Sequence, residues 1–262
     1  MTAATPDTVA GWAVAVLSTA DPWAKVALTR AAAAACANLP TGRAAPPDRP
    51  ARPARPELRR PGDMAKRSTG PKGRLALVHA LAHIELNAID LAWDIIARFA
   101  HDDLTRAFVD DWVGVAIEEA EHFFELDRLL KDWGGGYGDL PAHDGLWRAA
   151  AGTADDLLAR LAIIPLTLEA RGLDTTPETV ARLRAAGEQA VADVLDVIYA
   201  DEIKHLAVGM RWFDHLCRAR GLDPAAAYRA TLAARFSGRL KGPFNIPARA
   251  AGGMDRSFFE NS

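Results

Sequence analysis

Residues 118–122 read EEAEH, and residues 201–205 read DEIKH. Both follow one pattern, acid-Glu-x-x-His. Positions i and i+3 share a helical face, so Glu119 points with His122 and Glu202 with His205. Around the first pair, Trp112, Val113, Val115, Ala116, Phe123 and Leu126 are apolar. A helix patterned this way buries one face, and here that face includes a carboxylate and an imidazole. A single Glu-x-x-His arises by chance on charged helices. Two copies on two apolar-striped helices are a far more specific signal.

Each copy has an upstream partner. Glu85 stands in ALAHIELNAIDLAW, on the face of Leu81, Ala82, Ala88, Ile89 and Ala92. Glu169 closes the nearly uncharged run LARLAIIPLTLEARG. Glu85 precedes Glu119 by 34 residues, and Glu169 precedes Glu202 by 33. The chain thus contains a loose duplication, Glu … Glu-x-x-His twice over. If the paired helices are antiparallel, their turns fall at the midpoints. These are HDD at 101–103 and the stretch near 185–186, beside Gly187. Leu173–Pro177 then reads as an interruption in the third helix.

The remaining chain is helical in pattern, with almost no β alternation. Short Ala-rich helices are predicted over 7–18 and 22–38, with Pro22 in the first turn of the second. Long helices follow over about 73–100 and 105–132, ended by Gly134-Gly135-Gly136. A third runs over about 146–171 to Gly172, and a short one over about 177–186. A long helix covers about 188–219 and a last one about 224–236, before an irregular tail. The loop 133–145 can extend about 45 Å at about 3.5 Å per residue, enough to cross a helix bundle lengthwise. Two hairpins joined by one long crossover make the ferritin-like arrangement. The expected organisation is a helical segment at 1–40, a Pro/Arg-rich strap at 41–72 and a four-helix bundle at 73–219. A C-terminal helix and tail at 220–262 pack on the bundle.

Composition narrows the classes. The chain has 262 residues, half of them apolar, enough for one sizeable core. Two distant cysteines, Cys36 and Cys217, exclude a disulfide framework and a cysteine zinc site. The N-terminus has no basic n-region, and Asp21-Pro22, Lys25 and Arg30 break the apolar stretch after it. A cytoplasmic protein with no membrane partner is the expectation. Net charge is −3, yet residues 41–74 hold ten Lys/Arg against three acids. That segment reads as an extended strap over an acidic body. The other reading is a phosphate or RNA contact, weakened by the lack of aromatics for base stacking.

Charge argues for metal. Four glutamates converging in a core would bring −4, and burying even one unpaired charge costs several kcal/mol. Two divalent cations cancel that charge, with two neutral imidazoles completing the shell. Oxygen and imidazole donors suit iron or manganese. Paired helices bearing Glu and Glu-x-x-His describe the di-iron and di-manganese carboxylate proteins. The expected metal ligands are Glu85, Glu119, His122, Glu169, Glu202 and His205. Asp201 and Glu118 are expected behind them, Asp201 toward His122 and Glu118 toward His205, each fixing a tautomer. For Glu118 a solvated face is the alternative.

Other candidates read more plainly. His79 and His83 lie about 120° and 160° around their helix from Glu85, so they are surface or packing histidines. Asp139 and His143 suit turn and capping duty. Glu121 is expected in solvent, Glu125 is open as a spare ligand, and Tyr199 lines the site or simply packs.

HALAHIELNAIDLAWD, DDWVGVAIEEAEHF, YGDLPAHDGLW, LEARGLD, YADEIKH and GPFN together resemble an uncharacterised bacterial family of ferritin-like proteins. That family is more distantly similar to the di-iron tRNA hydroxylases. The resemblance runs from the strap to the tail. It implies a ferritin-like four-helix bundle with a di-metal site at the same six residues, and it supplies no substrate. The leading expectation is an O2-dependent hydroxylase or oxidase of an unknown organic substrate, a small molecule or a modified RNA. It would use two iron (or manganese) ions and an external electron donor, and a homodimer is one assembly left open. The alternative is a ferroxidase, iron-handling or peroxide-scavenging protein, for which iron or peroxide is the substrate. A third is a structural or RNA-contacting protein that merely holds a metal.

Overall fold

The computed structural model describes residues 5–68, 70–100 and 104–260, and no side chain is described at Pro71. It is all-α, with no strand among the described residues. The chain divides into two compact units, Met1–Trp147 and Arg148–Ser262.

The first unit is built on two long helices. We label its elements α1 (Val9–Leu17), α2 (Pro22–Cys36), α3 (Pro71–Phe99) and α4 (Arg106–Asp132). Local chemistry starts the short ones: Thr8 Oγ1 accepts from Gly11 N, and Asp21 Oδ1 accepts from Ala24 N with Pro22 following. The contact between α3 and α4 is the most extensive in the unit, with α1 against α3 and α2 against α4. The turn expected at residues 101–103 lies outside the described residues. Helix α3 is long and apolar enough to cross a membrane, but most of its apolar window is buried inside the protein, as in a core helix.

Arginines of the basic segment pair with acids of the same unit. Arg52 Nη1 lies 2.6 Å from Asp90 Oδ2, and Arg52 Nη2 donates to Asn87 Oδ1 at 2.6 Å. Arg49 pairs with Asp144 at 2.6 Å. An isolated bridge ties Leu58 to Ala142 in the loop after α4.

In the second unit the third helix departs from expectation. Instead of one rod over 146–171, α5 (Gly145–Ala151) stops, and α6 (Leu157–Ile163) starts anew. Asp156 caps α6 by accepting from Leu158 N, and the buried Arg160 donates to Thr153 Oγ1 and to the Ala150 carbonyl, each at 2.8 Å. Gly152, Thr153 and Asp156 carried this break in the sequence. A wide π turn over Ile164–Glu169 then leads into α7 (Ala170–Ala185).

Helix α7 is not interrupted at Leu173–Pro177 and does not stop at Gly172. Pro177 has no N–H for the Leu173 carbonyl, and a proline inside a helix costs about 3 kcal/mol. The tail supplies the missing donor: Asn245 Nδ2 donates to the Leu173 carbonyl at 3.0 Å. The helix turns at Gly187, whose φ is +79°, as the spacing required. Then α8 (Gln189–Ala219), α9 (Pro224–Arg235) and α10 (Ile246–Ala251) follow. Helices α7 and α8 form the main contact of this unit. Gly209 lets α8 touch the wide turn, since a Cβ there would lie 2.8 Å from Pro165 Cβ.

Candidate metal centre

In the first unit, α3 and α4 bring three predicted ligands together. Glu85, Glu119 and His122 are 3%, 1% and 3% exposed. His122 Nδ1 stands 3.4 Å from Glu119 Oε2 and 3.6 Å from Glu85 Oε2. These separations are long for charged hydrogen bonds, which run about 2.7–2.9 Å. They suit two ligands on one cation: donors about 2.1 Å from a metal, at about 90–120° to one another, lie about 3.0–3.6 Å apart.

The electrostatics agree. Burial, then the neighbouring Glu119 charge, raises the Glu85 carboxyl well above its usual range. Burial opposes charge on His122, but Glu119 and Glu85 outweigh it and push the imidazole up to about 11. Without a cation the cluster must hold protons to stay buried, and a bound cation replaces them. These residues could hold a metal ion.

In the second unit, His205 Nδ1 lies 3.7 Å from Glu202 Oε2, with His205 buried and Glu202 13% exposed. The α8 pair therefore repeats the α4 pair. Glu169 is the last residue of the wide turn and is half-buried. Asp201 accepts from Lys204 Nζ at 2.6 Å on its own helix. Glu118 is half-buried on α4.

The secondary candidates find ordinary work. Glu121 accepts both prongs of Arg30 at 2.6 and 2.7 Å, so it serves an ion pair at the surface. Glu125 pairs with Arg128 at 2.7 Å and is outside the cluster. Tyr199 Oη accepts from Asn245 Nδ2 at 2.9 Å. His143 Nδ1 accepts from Gly145 N, a turn contact.

His79 and His83 are packing histidines, not surface ones. They clamp the loop that follows α4. His79 Nε2 accepts from Gly138 N at 3.0 Å. His83 Nδ1 lies 2.8 Å from Tyr137 Oη and its Nε2 lies 3.1 Å from the His143 carbonyl. The carbonyl can only accept, so Nε2 carries the proton and Nδ1 accepts from tyrosine.

Sequence reasoning missed a pair of buried aspartates. Asp90 follows Glu85 by five residues, and Asp174 follows Glu169 by five. Five residues turn a helix about 140° from the glutamate face. Asp90 is fully buried against Lys25 and Arg52. The Asp174 side chain is fully buried and accepts from Arg249 Nε and Nη2 at 2.9 and 2.8 Å, and from Asn245 N at 2.9 Å. The signal was present as ELNAID and EARGLD, a second matched spacing in the duplication.

Residues 18–260 match the family described as "Protein of unknown function (DUF455)". The chain belongs to the DUF455 family. An uncharacterised Haemophilus influenzae protein is 41% identical over 208 residues, covering 77% of this chain and 72% of its own. No solved structure matches significantly.

Proposed function

We propose that this DUF455 protein is a ferritin-like di-metal carboxylate enzyme, an O2-dependent oxidoreductase holding two iron or manganese ions. The reading is carried by the buried Glu85–Glu119–His122 cluster. The sequence repeats that set in the same order, at nearly the same spacing, as Glu169, Glu202 and His205. On this reading α3 with α4 supplies one Glu plus Glu-x-x-His set, and the wide turn before α7 with α8 supplies the other. Four carboxylates and two imidazoles then match two divalent cations in charge and in donor type.

Bound iron or manganese would supply redox chemistry toward O2. The chain's residues supply the rest. His122 and His205 present Nδ1 beside the glutamate of their own helix turn. Asp201 and Glu118 would orient the imidazoles from behind. Apolar neighbours such as Leu86 and Phe123, both buried, keep bulk water from the carboxylates. Hydroxylation of a C–H group puts one oxygen atom into substrate and releases the other as water. It consumes two protons and two electrons, which an external donor must bring.

Single-turnover oxidation of the iron-loaded, reduced protein tests the reading. Oxygen uptake should run well ahead of free ferrous iron under the same conditions. Uptake no faster than that of the free ion contradicts an oxidoreductase.

A further inference from the structure

A cavity lies in the first unit, away from the metal ligands. Its volume is about 390 Å³, within the roughly 300–1,000 Å³ of small-molecule sites. Leu75 and Ala76 of α3, Leu130 of α4 and Leu140 of the following loop wall it, with His79 beside them. Glu85 lies six residues further along α3 and about 120° around it from His79, so the cavity opens on another face of the helix.

The polar groups lie unevenly around this apolar space. Lys66 and Lys72 line it from the strap and the start of α3, and both are exposed. Asp139 is the only carboxylate among the lining residues, so the charge at the cavity is +1. The imidazole is engaged, its Nε2 accepting from Gly138 N and Leu140 N at 3.0 and 3.4 Å. Burial lowers its pKa, so it adds no positive charge at neutral pH. An apolar chamber with two lysines and one acid fits a particular class of guest. The body is hydrocarbon, and one end is an anion that the ammonium groups hold in water-accessible space.

We propose that this cavity binds an amphiphilic anion, a medium-length alkyl or acyl chain ending in a carboxylate or phosphate. The chain fills the space between Leu75, Ala76, Leu130 and Leu140, and Lys66 and Lys72 hold the head. One wall is the loop that His79 and His83 clamp, so occupancy stiffens that loop and slows exchange of its amides.

Calorimetric titration of the full-length protein tests this with three probes below their micellar concentrations: decanoate, decyl phosphate and decanol. At least one anion should bind saturably at one per chain, at least tenfold tighter than decanol. The stronger anion identifies the head group. The double variant Lys66→Gln/Lys72→Gln alters only exposed side chains, and it should reduce anion affinity to the decanol level. Ala76→Trp should block all three probes. If it unfolds by circular dichroism, Leu140→Trp replaces it. Equal affinity for decanol and both anions, an unchanged affinity in the lysine variant, or no saturable anion binding each overturns the proposal.

Discussion

Glu85 lies within α3, a continuous helix of 29 residues, whereas Glu169 closes a π turn between two helices. The sequence duplication places both before a Glu-x-x-His at nearly equal spacing, yet the backbones differ. On α3 every turn around Glu85 is regular and the carboxyl is buried. At Glu169 the turn is wide, Pro165 removes an N–H, and Thr167 Oγ1 donates to the Ala162 carbonyl at 2.7 Å. Such turns cluster at functional sites. The first Glu/His set is therefore the more buried of the two. The second is the more exposed, with Glu169 half-buried and Glu202 13% exposed.

Behind each glutamate the buried aspartate five residues on does the same task with different partners. Asp90 ties α3 to α2 and the strap, and Asp174 ties α7 to the tail. The two bolts should break unequally. Arg249 holds Asp174 with two hydrogen bonds and is itself 2% exposed. Arg249→Leu leaves Asp174 with only the longer 3.5 Å pair to the half-exposed Arg171 and should cost about 3–5 kcal/mol, the range for a buried pair losing one partner. Arg52→Leu leaves Asp90 with Lys25 and should cost about 1.5–3 kcal/mol, the range for a charged hydrogen bond. Urea unfolding of both variants gives the comparison, and equal losses would refute it.

Acid should act on the first unit through His83. Burial, then the nearby Arg52 charge, lowers its pKa to about 4. An unfolded histidine titrates near 6.5, so the unfolded chain binds the extra proton first. The contribution is complete above pH 6.5 and is lost as pH falls toward 4. At about 1.4 kcal/mol per pH unit this is at most about 3.5 kcal/mol. His83→Gln should flatten stability between pH 6.5 and 4, measured by unfolding at several pH values. An unchanged acid slope would place the sensitivity elsewhere.

The more buried and the more exposed sets should differ without metal. Glu85 has a raised pKa, so its burial weakens the metal-free fold as pH rises above 4.5. Glu85→Gln removes that penalty and should raise the metal-free Tm at pH 7 by a few °C, at about 2–4 °C per kcal/mol. Glu202→Gln, at a more exposed position, should raise it less. A lower Tm for Glu85→Gln would mean that its carboxylate stabilises the empty protein.

The smallest effect concerns Pro177. Asn245→Ala frees the buried Leu173 carbonyl and should cost about 1–2 kcal/mol. Pro177→Ala restores an N–H four residues on, so the double variant should be less destabilised than Asn245→Ala alone. Additive losses would break this account of the helix.

Much of this was legible in the sequence. The helical period and the apolar flanks fixed the all-α class, and the i,i+3 spacing brought Glu119 to His122 and Glu202 to His205. The equal separations anticipated the turn at Gly187. The long-range donors were not legible. Pro177 reads as a break because nothing local marks Asn245, 68 residues on, as its remedy. His79 and His83 read as incidental because their partners are mostly backbone groups of a distant loop, which sequence type does not reveal. The Asp90 and Asp174 match could have been read, but charged residues behind a helix face normally sit in solvent.

The central claim is that two cations neutralise the Glu/His sets. Metal analysis of the protein purified from its own host tests this most directly. Close to two iron or manganese ions per chain are expected, falling by at least half in Glu119→Ala/His122→Ala with the fold retained by circular dichroism. Fewer than about one metal per chain in the native protein, given ligands sufficient for two, would contradict the account.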